Sequence, residues 1–190
     1  METVADIDDA DMVRRSRADP ECFAVLFDRY FVPLHRYASR RLGAATGDDV
    51  AAETFLVAFR ERGRFDPARG SVRAWLYGIA TNLIRGHHRA EVRGYRAYAR
   101  AAAEPVYAAE EERVDARLTA AAAREVLVAA LADLSPGDRD ALLLVVWGEL
   151  SHEETAGALG IPAGTVGSRL YRARRRLRAA LDDFDPTKQR

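Results

Sequence analysis

The chain is 190 residues long, enough for one medium domain or two small ones with a buried core. At 48% hydrophobic and 31% charged residues it reads as globular rather than disordered, and its longest wholly apolar runs, 126–132 and 141–147, fall far short of the ~18 residues a membrane-spanning helix needs. A formal net charge of zero argues against a uniformly basic polyanion binder, yet the 29 basic residues, all arginine except Lys188, fall in blocks around residues 85–100 and 169–178.

Residues 1–15 form an acidic tail, with Glu2, Asp6, Asp8, Asp9 and Asp11 ahead of Arg14. This is the reverse of a secretory signal's positive start, so the chain is expected to stay in the cytoplasm. Cys22, the single cysteine, can form neither an internal disulfide nor a cysteine-based zinc site. Phe23, Leu26, Phe27, Tyr30, Leu34 and Tyr37 recur at helical steps and predict one apolar helix face, with a kink or a fresh start at Pro33. Beyond Gly47, Asp48 and Asp49 lead into Val50, Phe55, Leu56 and Phe59, with Asp48 expected to cap that helix. A third helix is expected to open at Ser71 and to place Val72, Leu76, Ile79 and Leu83 on one stripe. From 91 to about 112 the pattern fades into Gly94, alanine-rich stretches, Glu104-Pro105 and an acidic cluster, which predicts a flexible linker and two halves that move independently. Helical periodicity resumes near Val114 and Leu118 and continues through Leu134, and no run alternates with strand period, so the fold class is all-α.

The last third is sharply punctuated. Ser135-Pro136-Gly137-Asp138 offers an N-cap, a proline at the first helical position and an early carboxylate, and that helix is expected to end at Gly148. Ser151-His152-Glu153-Glu154 repeats the capping box, Gly160 closes the helix, and a long helix follows from about 163 to 181. Helix, short turn and helix, with Ala156, Gly160, Val166 and Leu170 at crossing, turn and anchor positions, predict a helix-turn-helix. Projected at helical pitch, Val166, Leu170, Ala173 and Leu177 form a buried stripe, while Thr165, Arg169, Arg172 and Arg176 line a cationic one. In a major groove, Thr165, Ser168, Arg169 and Arg172 would reach base edges, and Arg174, Arg175, Arg176 and Arg178 would hold phosphates.

Four motifs in order sharpen this reading. Asp48–Phe55 (DDVAAETF), Trp75–Leu83 (WLYGIATNL), Leu134-Ser135-Pro136 and Ile161–Arg174 (IPAGTVGSRLYRAR) resemble the extracytoplasmic-function (ECF) group of the sigma-70 family of bacterial RNA polymerase sigma factors. The resemblance covers roughly residues 20–90 and 115–181. It implies two small helical domains: sigma region 2 over 16–92 and sigma region 4 over 114–181. A linker at 93–113 and a C-terminal tail at 182–190 complete the chain. Gly78 and Gly167 depart from the family in standing where a basic residue is common, and Gly86 lies in the segment that contacts the minus-ten strand.

The family's role implies an alternative sigma factor, not an enzyme, with no cofactor or metal. Its partners would be the β′ clamp helices and β subunit of core polymerase, promoter DNA and an anti-sigma factor that wedges between the domains. Asp49, Glu53, Phe55 and Leu56 offer acidic groups around apolar anchors for polymerase contact. Asn82 matches the position that faces a captured minus-ten base, and Arg85, Arg89 and Arg93, spaced by four, would carry the DNA backbone. Trp75 could stack on DNA, but its place among Val72, Leu76 and Ile79 favours the core. The runner-up is another helix-turn-helix regulator acting without polymerase. An enzyme is disfavoured by the lack of any nucleophile, base or metal set.

Overall fold

The computed structural model describes residues 8–102 and 111–183, the side chains of 100–121 excepted, and every regular element among them is helical. The short α1 (Asp9–Arg15) is tied to α2 (Ala24–Leu42) by Asp9, whose carboxylate accepts from Arg29 and Tyr30. Helix α2 runs through Pro33, where a kink or restart was expected. Pro33 and Arg29 are both exposed, so the Arg29 carbonyl that loses its donor lies where water can reach it. Helix α3 (Ala44–Glu61) starts earlier than its sequence pattern suggests, because the chain turns at Gly43, with φ +85°, and Gly47 lies inside the helix against Ser39. Asp48 therefore does not cap it; the carboxylate reaches back to His35 on α2.

Helix α4 (Val72–Gly86) opens as predicted, with the Ser71 hydroxyl accepting from the Ala74 N–H at 3.1 Å. Val72 and Leu76 are buried and Ile79 and Leu83 pack beside them. Helix α5 (His88–Ala102) follows after His87, so much of the stretch that loses its pattern in the sequence is helical. Glu91, Tyr95 and Ala99 recur every fourth residue and are buried, and α5 packs along α6 (Glu111–Ala132). One of the three is a carboxylate, which hides the stripe from a hydropathy reading. Residues 103–110, the remainder of the expected linker, lie outside the described residues.

Helices α7 (Pro136–Val146), α8 (His152–Leu159) and α9 (Ala163–Asp183) form the second unit. The Ser135 hydroxyl accepts from the Asp138 N–H at 3.2 Å. The capping box of α8 is complete, with Ser151 and Glu154 exchanging bonds of 3.1 and 2.9 Å. Gly160 is left-handed at φ +63°, a conformation open to glycine at little cost, and it turns the chain into α9. A small core of Leu134, Ala141, Leu142, Val166, Leu170 and Ala173 holds this unit.

The larger core joins the halves. Leu26, Leu34, Tyr37, Val50, Phe55, Leu76, Tyr77 and Ile84 pack in one cluster with Leu143, Leu144 and Leu150. Helix α4 crosses α8 closely enough that a Cβ on Gly78 would lie 2.6 Å from the Ala158 carbonyl oxygen. Independent halves were the expectation from sequence; in the structure they share a core and a polar seam.

Candidate nucleic-acid interface

Val166, Leu170 and Ala173 bury one face of α9. Of the four residues projected onto the cationic stripe, Thr165 and Arg169 are half-buried and Arg172 and Arg176 are exposed. The start of α7 grips two of them. Arg169 donates to the Gly137 carbonyl at 3.4 Å, and Arg172 donates from Nε and Nη2 to the two carboxylate oxygens of Asp138, at 3.1 and 2.6 Å. The Arg172 hydrogen bonds hold the Asp138 carboxyl below the usual carboxylate range, outweighing burial, which acts the other way. The Ser168 hydroxyl donates to the Gly164 carbonyl at 3.1 Å. A further exposed row on the helix, on the other side of the buried face, is Gly164, Gly167, Tyr171, Arg174 and Arg178, with Tyr171 67% exposed. Sequence reading passed over Tyr171. Carrying the same projection one stripe further would have found it.

The sequence spacing puts Arg85, Arg89 and Arg93 on one helix face. The break at His87 separates them, leaving Arg85 on α4 and Arg89 and Arg93 exposed on α5. Asn82 is exposed at the end of α4, and its Oδ1 accepts from Arg85 Nη1 at 3.0 Å. Arg85 Nε in turn donates to Asp140 on α7, at 2.8 Å. Asp140 belongs to a buried cluster that crosses the seam. Arg41 donates to Glu91 at 2.6 Å and to Asp140 at 2.7 Å, and Arg139 reaches Glu91 at 3.3 Å. All four side chains are 1% exposed.

Burial alone would ease the proton off Arg41, but Tyr37, Glu91 and Asp140 around it raise its pKa well above the ordinary arginine value. Burial, with Glu91 beside it, pushes the Tyr95 hydroxyl well above its ordinary value, so it stays a donor to Glu91. Arg139 also donates to the carbonyls of Leu131, Ala132 and Leu134, closing the C-terminal end of α6. None of Arg41, Glu91, Arg139 and Asp140 figured among the residues singled out from sequence, since nothing local marks a charge whose partners lie far along the chain.

On α3, Asp49, Glu53 and Leu56 are exposed at positions that share a face, with Leu56 47% exposed. Phe55 instead turns inward at 5% exposure and meets the Phe27 ring edge-on at 5.0 Å; Phe27, stacked on Phe31 at 4.8 Å, is itself 40% exposed. The apolar part of this surface is thus Leu56 and Phe27, with Phe55 beneath. Trp75 packs against the core and lies 5.1 Å from the Phe65 ring. Among the described residues no group of three or more histidine, cysteine or carboxylate side chains could hold a metal ion, and His88 Nδ1 lies 3.2 Å from Arg139. No described helix is long and apolar enough to cross a membrane.

Residues 26–94 match sigma-70 region 2 and residues 124–177 match sigma-70 region 4. The chain is 32% identical over 188 residues to the ECF RNA polymerase sigma factor BldN of Streptomyces coelicolor, covering 94% of this chain and 69% of that one. It is 32% identical over 173 residues to the ECF RNA polymerase sigma factor SigL of Mycobacterium tuberculosis, covering 90% and 95%. The solved structure of CnrH in complex with the cytosolic domain of CnrY superposes with a TM-score of 0.63 at 27% identity, over 93% of this chain and 99% of CnrH. Two helical units carrying regions 2 and 4 in this order define a sigma-70 type transcription initiation factor. Within that class the chain belongs to the extracytoplasmic-function group, as an alternative RNA polymerase sigma factor.

Proposed function

We propose that the protein binds core RNA polymerase and directs promoter-specific initiation through the two interfaces described above. The first unit, residues 16–92, attaches to the β′ clamp helices through Asp49, Glu53 and Leu56, with Phe55 supporting Phe27 from below. It takes the minus-ten element with Asn82 on an unpaired base and Arg85, Arg89 and Arg93 on the backbone. The second unit, residues 114–181, contacts the β subunit and reads the minus-thirty-five element with Thr165, Ser168, Arg169, Arg172 and Arg176. Residues 93–113 connect the two units; of the acidic stretch expected to be an N-terminal tail, Asp9–Arg15 instead forms α1 and buries Met12 and Val13 in the core of the first unit. The observation that carries this reading is the pairing, in one chain, of an amide at the exposed end of α4 with a cationic recognition helix anchored by Val166 and Leu170.

On this reading Asp140 must release Arg85 before DNA is captured, so the halves separate on polymerase. An anti-sigma factor is the natural opponent of that step. A cleft of about 700 Å³ between the Arg64–Trp75 stretch and the turn at Gly160–Ala163 gives such an inhibitor a place to wedge. The test is run-off transcription with core polymerase on genomic promoter fragments. Specific initiation by the reconstituted complex, with weak binding by the free protein, is expected. Tight sequence-specific binding by the free protein with no transcription on adding core would overturn it in favour of an independent helix-turn-helix regulator.

A further inference from the structure

Asp138 lies in the first turn of α7, where an acid ordinarily serves the helix N-terminus. Here its backbone N–H goes to the Ser135 hydroxyl, and its carboxylate turns outward to α9. Both oxygens are taken by one guanidinium, Nε to Oδ2 at 3.1 Å and Nη2 to Oδ1 at 2.6 Å. The carboxylate side chain is 12% exposed and the Arg172 side chain 52%, so the acid sits beneath the arginine and leaves the far side of the guanidinium to solvent.

A fork held in this way has fixed its plane. The Asp138 bonds occupy Nε–H and one Nη2–H, while the Nη1 pair and the other Nη2–H stay available. Those remaining donors form the end-on pair that a guanine O6 and N7 accept in the major groove. An unsupported arginine would have to surrender several rotatable bonds to present the same pair, and Arg172 has surrendered them before DNA arrives. From this geometry we infer that Asp138 is a positioning residue for minus-thirty-five readout: it presents Arg172 to a guanine and sharpens sequence discrimination, while its negative charge lowers affinity for DNA of any sequence. The inference rests on the proposed role of Arg172 as a base reader.

The two effects have opposite signs, which separates them from a loss of fold. The experiment uses the full chain assembled on core polymerase, a pool of randomised duplexes from which bound molecules are recovered and sequenced, and a duplex of unrelated sequence for non-specific binding. The native protein should select a guanine at one upstream position that Arg172→Ala no longer selects. Asp138→Asn should lose that same preference by about tenfold while binding the unrelated duplex more tightly. Arg172→Lys keeps the charge, leaves the start of α7 alone and cannot make the fork; it should lose the guanine preference with non-specific binding unchanged. If Asp138→Asn kept or strengthened the guanine preference, the carboxylate would be masking Arg172 and the inference would fall with the reading intact. If Arg172→Ala itself changed no preference, Arg172 would not be a reader and both would fall.

Discussion

At the seam between the halves Arg41 and Arg139 are 1% exposed and meet Glu91 and Asp140, whereas on the outer side of α9 Arg174, Arg175, Arg176 and Arg178 stand in solvent with no carboxylate partner among the described residues. The same side chain is a structural tie in one place and a free cation in the other. What separates them is where acids reach, not how many arginines a segment holds. An electroneutral chain can therefore present a strongly cationic helix, because its acids are spent elsewhere.

Breaking the seam should produce the largest effect. Arg41→Ala removes the guanidinium that serves both Glu91 and Asp140 and leaves two carboxylates buried, so a loss of ~3–5 kcal/mol is expected in denaturant unfolding. A loss within the range of surface substitutions would mean that the seam is hydrated in solution.

Gly78→Arg attacks the same contact from α4, since any side chain there meets the Ala158 carbonyl. It should cost ~1–3 kcal/mol through overpacking and raise the radius of gyration measured by small-angle scattering. An unchanged radius would show that the halves are held by the charge cluster alone.

The exposed side of the comparison is sharpened by two substitutions that should fail at different steps. Arg172→Ala should cost ~1–3 kcal/mol in closed-complex formation, whereas Asn82→Ala should leave that step largely intact and depress strand opening. A template with a pre-melted minus-ten bubble should restore Asn82→Ala. Rescue of Arg172→Ala instead would mean that the two sites are assigned the wrong way round.

The smallest effect is a dependence on acidity. Because Arg172 holds the Asp138 carboxyl below its ordinary value, the stabilisation is complete above the unfolded carboxylate's pKa and is lost as pH falls through the lowered one. Thermal melting at acidic pH should therefore lose a component that Asp138→Asn never had. Identical acid profiles for the two proteins would remove the ion pair from the stability of the second unit.

Local chemistry made the caps, the helix-turn-helix and the buried stripe of α9 legible, because Ser71, Ser135, Ser151 and Gly160 each act within a few residues of themselves. The start of α3 was misplaced because Gly43 and Gly47 are equally good breakers on paper, and only packing against Ser39 decides which one turns the chain. Helix α5 was missed because its buried stripe contains Glu91, which a hydropathy pattern counts as surface. The candidate readers were found from residue type and spacing. Their surroundings were not, since Arg41 and Asp140 are 99 residues apart and Arg172 and Asp138 lie 34 apart on different helices. Gly78, which departs from the sigma-factor pattern, acquires a physical reason only once α8 is seen against it.

The buried seam is balanced in a particular way. Arg41 and Glu91 come from the first half, Arg139 and Asp140 from the second, so each side brings one positive and one negative charge. When the halves part, neither surface carries a stranded net charge from these four groups, and what changes hands is hydration rather than counterions. Opening should accordingly depend on ionic strength less steeply than DNA binding by α9, which releases condensed ions, and what salt dependence it has should come from the more exposed Arg85–Asp140 and Arg73–Glu154 pairs. A rise in cellular salt would then act first on the promoter contact and only secondarily on the poise between closed and open protein.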